Sequence, residues 1–492
     1  MKRKKSVVVV LLSLGALSCS NSTGPRADEV TLTVLSGNRQ VGLQNDPLPQ
    51  PVIVQARRRN GDPAPDVRVA VTVGAGSGRL LAADTLTDPL GQATLEWELG
   101  EAWENVLVLS LMDHSDASVG VRAWARYRHQ PPEETADGWE TAPPNDLGMA
   151  EEPLTRMMDS LRAGIYSEVH SVVIVKDHRL VLETYFPGHD FGYSSTDFLG
   201  TYREWGRNSR HNTHSATKSV ISTLVGLAID LGFVPNEDQR VFDYFPEYAE
   251  YAVGGKETIT IRDMLTMTSG LEWPEWDIPV GGGLSPIEQF NSSGDPIGYV
   301  LSRSLIHPPG TVYNYNGGTV NVLCQLAARS AGPGVTVDAF AHEHLFGPLG
   351  VTNYNFPNHQ SGLTVCHGDI YITPRDMAKY GQLYLNEGVW MGRRILSEEW
   401  IRKSVSPLVS VSHFNLYWAE DYGYLWWLND YDVGGNTYST YKALGWGGQE
   451  IWVVPEEEMV VVFTGANYTT NPPTDHIMMR YILPALGSGG EG

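Results

Sequence analysis

The alternation of apolar and polar residues between about Ala27 and Tyr127 is the feature that most limits how this chain can fold. Apolar residues recur at every second position in short segments, and Gly, Pro, Asn and Asp mark a turn about every ten residues. The clearest of these segments are EVTLTVLSG, PVIVQARRRNGDP, VRVAVTVGAGSGRL, QATLEWELG and NVLVLSLMD. This alternation places apolar side chains on one face of each strand, and that face must be buried against a second sheet. The pattern predicts an antiparallel β-sandwich over residues 28–127.

Two phrases in this region, RRNGDPAPDVRVAVTV and TDPLGQATLEWELG, resemble bacterial Ig-like domains of the invasin type. The resemblance implies a spacer or adhesive module, and the region holds no candidate catalytic group. A Pro-rich, charged segment, residues 128–145, follows and is typical of a linker.

The remaining residues, 146–487, combine hairpin and helix patterns. HSVVIVKDHRLVLETYF and EIWVVPEEEMVVVFTGA predict strand pairs at the two ends, and the middle is mostly helical. Strands from both ends can pair in one antiparallel sheet covered by helices. This part is therefore predicted to be an α+β domain with a mostly helical subdomain.

The N-terminus has the pattern of a secretion signal. A basic start is followed by an apolar run, Val7 to Leu17, which is shorter than the roughly 20 residues that span a bilayer. Ala16-Leu17-Ser18-Cys19 resembles a bacterial lipoprotein cleavage box. We expect residues 1–18 to be a signal peptide, residues 19–27 a tether, and Cys19 a lipidated residue. The protein would then be a membrane-anchored lipoprotein facing the periplasm or the cell surface; the alternative is an ordinary signal peptide with a chance cysteine.

The charge of the chain excludes one class of partner. The formal net charge is −22, and no Lys- or Arg-rich stripe follows the first few residues. Nucleic-acid binding depends on basic surfaces that neutralise phosphates. The sequence therefore predicts no nucleic-acid partner, and the lipid on Cys19 makes a membrane the expected one.

Ser215 and Lys218 stand at the start of HSATKSVISTLVGLAIDLG, a helix pattern that is apolar around most of its circumference. Residues three apart share a helix face, so the lysine amine can reach the serine hydroxyl. The helix N-terminus offers N–H groups to a developing oxyanion, and burial disfavours the charged form of a lysine. These conditions suit a nucleophile and its base, and the alternative is a capping serine with a solvated lysine. A second pair with this spacing, Ser439 and Lys442, precedes glycines that stop a helix, and it is assigned no catalytic role.

Further segments hold the motif order of a known family. They are LIHPPGTVYNYNGGTVNVL, YKALGWGGQEIWVVPEEEMVVVF, ITIRDMLTMTSGLEW, ITPRDMAKYGQLYLNEGVWMGRRILSEEW and YGYLWWL. With the serine–lysine pair they resemble the penicillin-recognising serine hydrolases: class C β-lactamases, DD-peptidases, family VIII carboxylesterases and 6-aminohexanoate-dimer hydrolases. The resemblance runs from about Asp137 to the C-terminus. It implies a β-lactamase/DD-peptidase-like fold.

The resemblance assigns roles to the first two motifs. Ser215 takes the place of the acylated nucleophile and Lys218 that of its base. The tyrosine motif falls on Tyr315-Asn316-Gly317, so Tyr315 is expected to share the base role and to protonate the leaving group. Tyr313 is the other candidate, but its spacing from the preceding Pro-Gly fits the family's preceding aromatic residue.

The third motif falls on Trp446-Gly447-Gly448, just ahead of a predicted strand. The resemblance implies that this strand presents the Gln449 N–H, which with the Ser215 N–H would form the oxyanion hole. Two positions depart from the family pattern. Gly317 replaces the motif asparagine, and Trp446 replaces the Lys or His that lies where the substrate's carboxylate binds. Because tryptophan carries no charge, these departures favour ester or small-amide hydrolysis over β-lactamase or transpeptidase activity.

Taken together, the motifs predict a secreted serine hydrolase that cleaves a small-molecule ester or amide through an acyl-enzyme. One alternative is a β-lactamase or a cell-wall D-peptidase. Another is a catalytically weak surface-binding protein that adheres through its Ig-like module. The chain lacks GxSxG, SDN and KTG. No cofactor and no metal are predicted, since His342-Glu343-His344 has no further ligand at zinc spacing.

Two cysteines remain after Cys19. Cys324 lies at helical spacing with apolar residues, which favours a buried small side chain. Export would permit a bond to Cys366, but the sequence leaves that pairing open.

Overall fold

The computed structural model describes residues 29–112, 114–193 and 196–486. The expected signal peptide, the tether and the lipidation site Cys19 lie outside these residues. The chain separates into two units that divide between Arg126 and Tyr127. Within the described ranges, no helix has both the length and the apolar character needed to cross a membrane.

The described part of the first unit consists of strands. These are β1 (Val30–Ser36), β2 (Gln40–Leu43), β3 (Val52–Arg58), β4 (Val69–Val73), β5 (Arg79–Ala83), β6 (Gln92–Glu98), β7 (Glu104–Leu111) and β8 (His114–Arg126). They form two four-stranded sheets, ordered β1-β3-β6-β5 and β2-β8-β7-β4. Alternate apolar residues of both sheets meet in one core, which includes Val54, Leu95 and Leu107. The predicted all-β region is confirmed.

One pairing in this unit differs from the expected antiparallel pattern. β2 lies parallel to β8, with Gln40 opposite Ala123. Only three residues connect β1 to β2, and the two strands belong to different sheets. Because the chain changes sheets there without a hairpin, β2 does not pair with its neighbour in sequence. A four-residue strand has too little alternation to predict this.

The second unit combines strands and helices. Its strands are β9 (Glu140–Thr141), β10 (Val169–Lys176), β11 (Arg179–Tyr185), β12 (Gly188–Phe191), β13 (Leu199–Arg203), β14 (His211–Asn212), β15 (Tyr354–Asn355), β16 (Tyr371–Ile372), β17 (Val389–Trp390), β18 (Arg393–Arg394), β19 (Val409–Ser410), β20 (Asp421–Tyr422), β21 (Trp427–Val433), β22 (Asn436–Gly445), β23 (Gln449–Val454) and β24 (Met459–Gly465). Its α-helices are α1 (Glu151–Arg162), α2 (Thr217–Asp230), α3 (Ile261–Leu265), α4 (Pro286–Ser292), α5 (Pro296–Ser302), α6 (Gly317–Ser330), α7 (Val337–Ala341), α8 (Pro374–Leu385), α9 (Glu398–Ser404), α10 (Thr474–Ile477) and α11 (Leu483–Leu486).

A nine-stranded sheet organises this unit, in the order β19-β20-β21-β22-β23-β24-β10-β11-β9. The two hairpins expected from the sequence are its central strands, and they meet where β10 pairs with β24. Neighbouring residues of β10 enter different cores, because successive side chains of a strand point to opposite faces. One core contains α1, α10 and α11, and the other contains α2, α6 and α8. The predicted α+β domain is confirmed.

The segment expected to be a linker belongs to the second unit and packs within it. The Arg375 side chain is 3% exposed and pairs with Glu183. It donates to the Glu133 carbonyl at 2.8 Å, to Thr135 Oγ1 at 2.9 Å and to Asp137 Oδ2 at 2.9 Å. A buried guanidinium needs such partners, so residues 133–137 have a fixed course. The domain boundaries drawn from the sequence stay predictions.

Close contacts hold α2 in the helical layer. A Cβ on Gly226 would lie 2.4 Å from Trp400 Nε1, so only glycine lets α9 approach this closely. Ser219 Oγ donates to the Leu425 carbonyl at 2.6 Å, and the Tyr380 hydroxyl donates to the Ser219 carbonyl at 2.7 Å. These contacts position the first turn of α2, which carries Lys218.

Candidate active site

Ser215 lies in a short 3-10 turn, His214–Ala216, immediately before α2 begins at Thr217. The sequence predicted that the serine opens the helix itself, and the structure places it one turn earlier. Lys218 still reaches back, and its Nζ donates to Ser215 Oγ at 3.0 Å. The same Nζ donates to the His367 carbonyl. Lys218 is 2% exposed, so both contacts are made away from bulk water.

Tyr315 is the tyrosine that lies against this lysine. Lys218 Nζ is 4.9 Å from the centroid of the Tyr315 ring. Trp276 stacks on the same ring at 5.2 Å and Trp427 at 5.9 Å. These contacts place the Tyr315 ring beside Lys218, and the role of this residue in proton transfer stays a prediction.

Tyr313 has different surroundings. Its hydroxyl is buried and finds no hydrogen-bond partner in the described part of the chain. Burial raises the pKa of Tyr313 well above its usual value. The structure therefore does not bring this second tyrosine together with Lys218, and a proton-transfer role is disfavoured.

Asn316 starts the helix that follows the tyrosine motif. Its side chain caps α6 by accepting the Thr319 N–H at 3.0 Å. A Cβ on Gly318 would lie 2.7 Å from the Trp273 ring. The two glycines after Asn316 thus allow close packing at the start of α6.

Trp446 lies in an aromatic cluster that includes His214, the residue before Ser215. Its ring packs at centroid distances of 4.8–5.8 Å against Phe191, Phe198, His214 and Tyr468. Its indole Nε1 donates to the Tyr468 carbonyl at 2.8 Å. This position carries no charge, and its single N–H donor is already used within the protein.

The Trp446-Gly447-Gly448 turn lies close to Ser215 because β22 ends against the nucleophile turn. A Cβ on Gly445 would lie 2.0 Å from the Thr213 carbonyl oxygen, so a larger residue there would push the two apart. Gln449 begins β23, and its side chain donates to the Gly465 carbonyl. The Ser215 N–H meets no acceptor among the described residues. The oxyanion role of Gln449 and Ser215 stays a prediction.

The second serine–lysine pair has a different geometry. Ser439 and Lys442 lie on β22, where residues three apart point to opposite faces. Ser439 is exposed, whereas Lys442 is fully buried. Lys442 Nζ donates to the Tyr431 hydroxyl at 2.6 Å and pairs with Asp475 at 3.3 Å. This lysine is structural.

Three residues that support the site were not recognised as doing so from the sequence. They are Cys324, Cys366 and Asn321. Cys324 and Cys366 form a disulfide, which the sequence had left open. Asn321 on α6 is fully buried, and its side chain donates to the Gly317 carbonyl at 2.9 Å and accepts the Cys366 N–H at 2.8 Å. These links join α6 to the loop whose His367 carbonyl holds Lys218. The presence of two cysteines in a chain expected to be exported was the available signal.

His214, next to the nucleophile, also lies at the site. Its backbone has a φ of 44°, a left-handed conformation that costs a non-glycine residue free energy and often occurs at functional sites. Its Nδ1 is 3.5 Å from Asp369 Oδ1. Burial lowers the pKa of His214 to about 4, so the imidazole is neutral near pH 7.

Comparison with known proteins shows the family of this chain. The family model described as Beta-lactamase matches residues 154–483. The chain belongs to the beta-lactamase family. A 6-aminohexanoate-dimer hydrolase of Paenarthrobacter ureafaciens is 24% identical over 268 residues, which cover 52% of this chain and 66% of that relative.

Two solved structures share the fold of this beta-lactamase-family chain. A proposed 6-aminohexanoate-dimer hydrolase from Bacillus anthracis has a TM-score of 0.52 at 19% identity, with coverage of 72% of this chain and 90% of that one. A family VIII carboxylesterase has a TM-score of 0.52 at 18% identity, with coverage of 69% of this chain and 99% of that one. These similarities show the fold and leave the substrate to be argued from the site.

Proposed function

We propose that this protein is a serine hydrolase that cleaves ester or small amide bonds through an acyl-enzyme on Ser215. The 3.0 Å contact between buried Lys218 Nζ and Ser215 Oγ carries the proposal. The relatives named as a carboxylesterase and as 6-aminohexanoate-dimer hydrolases support this substrate class.

The reaction begins when Ser215 Oγ attacks the substrate carbonyl carbon while Lys218 Nζ, the base of the pair, takes its proton. The His367 carbonyl accepts an N–H of that amine and so holds Nζ beside the serine hydroxyl. The tetrahedral intermediate carries its negative charge on the former carbonyl oxygen, beside the N–H groups of Ser215 and Gln449. It collapses when the proton passes through Tyr315 to the leaving alcohol or amine. A water molecule then attacks the acyl-enzyme by the same path and restores Ser215.

Trp446 separates this proposal from the β-lactamase and D-peptidase alternatives. A substrate carboxylate needs a cation or several donors in a partly buried site. Trp446 is neutral, and its N–H is occupied by the Tyr468 carbonyl. The site therefore favours neutral acyl donors on that side.

The test is a labelling and turnover experiment. We expect wild-type protein to react with a fluorophosphonate at one serine and to hydrolyse short p-nitrophenyl esters faster than nitrocefin or a D-Ala-D-Ala peptide. Ser215→Ala should abolish both labelling and turnover, and Lys218→Ala should lose nearly as much because the pair acts as a unit. Ser439→Ala is the matched control and should keep wild-type turnover. If Ser215→Ala is still labelled, the nucleophile is elsewhere and the proposal fails.

We also propose that the protein is exported and anchored by lipid on Cys19, with the first unit as a spacer or adhesive module. The support is the apolar run and cleavage box of the N-terminus. Cys19→Ser should move the protein from the membrane fraction to the soluble fraction. Unchanged partitioning would contradict the anchor.

A further inference from the structure

The carboxylate of Glu275 fills the space beside Gly317, two residues after Tyr315. The Gly317 N–H donates to Glu275 Oε2 at 2.7 Å, and Trp273 Nε1 donates to the same oxygen at 2.7 Å. A Cβ on Gly317 would lie 3.0 Å from this oxygen and 2.8 Å from Ile287 Cδ1. A side chain at position 317 would therefore displace the carboxylate. The position of the Glu275 carboxylate therefore depends on a glycine at position 317.

This carboxylate lies near the reacting groups. The same Cβ would lie 3.2 Å from the Cβ of His367, whose backbone carbonyl accepts Lys218 Nζ. The next residue, Trp276, stacks on Tyr315. Burial is the main cause that raises the pKa of Tyr422, and the neighbouring Tyr315 and the charge of Glu275 add to it. The charge of Glu275 thus affects Tyr422, a member of the aromatic cluster beside Tyr315. We call this cluster the aromatic wall; it consists of Trp276, Phe414, Tyr422 and Trp427.

That wall presents ring surface to solvent. Trp276 is 46% exposed and Phe414 is 38% exposed, and their ring centroids are 5.5 Å apart. Aromatic faces attract cations through their quadrupole, and an adjacent carboxylate strengthens the attraction. Asp369, beside His214, adds a second negative charge near the nucleophile turn. A substrate carboxylate would be repelled here, whereas an ammonium group would be attracted.

We propose that Glu275 and Trp276 select substrates by charge, so that acyl donors bearing an alkylammonium group are preferred over neutral ones and carboxylate-bearing ones are rejected. The proposal rests on the proposed function, because selection is measured through acylation of Ser215. It adds a substrate class and two specificity-determining residues to that function.

The experiment uses three p-nitrophenyl esters with similar acyl length: hexanoate, 5-(trimethylammonio)pentanoate and the adipate half ester. In the wild type, kcat/KM should be highest for the cationic ester and lowest for the anionic ester, with a ratio of at least about tenfold, as expected for a nearby carboxylate. Glu275→Gln keeps an acceptor for the Gly317 and Trp273 N–H groups and removes the charge. It should shrink the ratio by about tenfold, while Glu275→Asp should retain its direction.

Glu272→Gln is the matched control. Glu272 lies three residues earlier, is 44% exposed and pairs with Arg303 at 3.0 Å. Its loss should leave the cationic-to-anionic ratio unchanged. The hexanoate rate serves as the reference for each variant, so any general loss of activity is divided out.

A wild-type ratio near one, or a ratio that Glu275→Gln leaves unchanged, would overturn the inference without touching the proposed function. Failure of every ester, or hydrolysis that survives Ser215→Ala, would count against the function itself. If Glu275→Gln does not fold, the salt dependence of the wild-type cationic-to-anionic ratio is measured instead. Raising salt from about 0.05 M to about 0.5 M shortens the Debye length and should reduce the wild-type ratio. A ratio that does not change with salt concentration would contradict selection by charge.

Discussion

At the scale of single residues, the two motif tyrosines show how surroundings decide a role. Tyr315 and Tyr313 are both buried, and both follow the Pro-Gly turn at residues 309–310. Lys218 Nζ lies over the ring of Tyr315, whereas the hydroxyl of Tyr313 has no partner among the described residues. The contact of its ring with Lys218 makes Tyr315 the better candidate for proton exchange.

We predict that Tyr315→Phe lowers kcat on the best ester by at least about a hundredfold, as expected for loss of a general acid–base group. The ring remains, so packing against Trp276 and Trp427 is preserved and the melting temperature should change little. Tyr313→Phe is the matched variant. It removes an unpartnered buried hydroxyl and should keep turnover and stability close to wild type. Similar losses in both variants would contradict the assignment of Tyr315.

His214 predicts a pH dependence of stability. Its pKa is lowered to about 4 by burial, whereas an unfolded histidine titrates near 6.5. Between these values the unfolded chain binds more protons than the native one, so the free energy of unfolding falls as pH drops through this window. The full difference is about 3 kcal/mol for one group.

We expect His214→Gln to flatten this dependence, measured by urea unfolding at about pH 7 and about pH 4.5. His178→Gln, at a side chain that is 54% exposed, is the control and should leave the slope unchanged. An unchanged slope in His214→Gln would show that the histidine is not buried neutral.

At the scale of elements, the disulfide joins α6 to the loop that orients the base. Cys324 lies on α6, and Cys366 immediately precedes His367. Asn321 adds hydrogen bonds between the same two elements. One connection therefore supports both the helix that follows Tyr315 and the carbonyl that holds Lys218.

We predict that replacing both cysteines with serine lowers the free energy of unfolding by about 2–4 kcal/mol, as for other disulfides that close long loops. It should also lower kcat well below the melting temperature, because the His367 carbonyl loses its support. Ester turnover and thermal unfolding of the same preparation check the two effects. Full activity in the folded double variant would show that the loop holds its course without the bond.

At the scale of the whole molecule, the two units have separate hydrophobic cores. The start of the second unit is defined by its own contacts. The Tyr127 N–H donates to Asp159 Oδ1 at 2.7 Å, and residues 133–137 surround Arg375.

We therefore expect a chain beginning at Tyr127 to fold and keep the wild-type turnover of the best ester. A chain beginning at Asp146 should be less stable by about 1–3 kcal/mol or more, because buried Arg375 loses several partners. Thermal unfolding and ester turnover of the two truncated proteins test this. Equal stability of both would show that residues 127–145 contribute little.

Sequence alone determined the parts of this protein that depend on local pattern. The sandwich strands, the two hairpins of the large sheet and the apolar helix after Ser215 follow from alternation and helical periodicity, which relate residues close together in the chain. The contact between Ser215 and Lys218 was predictable for the same reason, since it joins residues three apart. Motif resemblance added Tyr315 and Trp446.

The tertiary structure decided every feature that joins distant segments. The bond from Cys324 to Cys366, the His367 carbonyl on Lys218, the guanidinium of Arg375 on residues 133–137 and the carboxylate of Glu275 beside Gly317 each depend on loops brought together by folding. Periodicity carries no information about which loops meet, because the meeting is determined by how the cores pack. For that reason the sequence predicted the nucleophile and its base. The carbonyl of His367, which orients the base, and the carboxylate of Glu275, which we propose selects the substrate, appeared only in the folded chain.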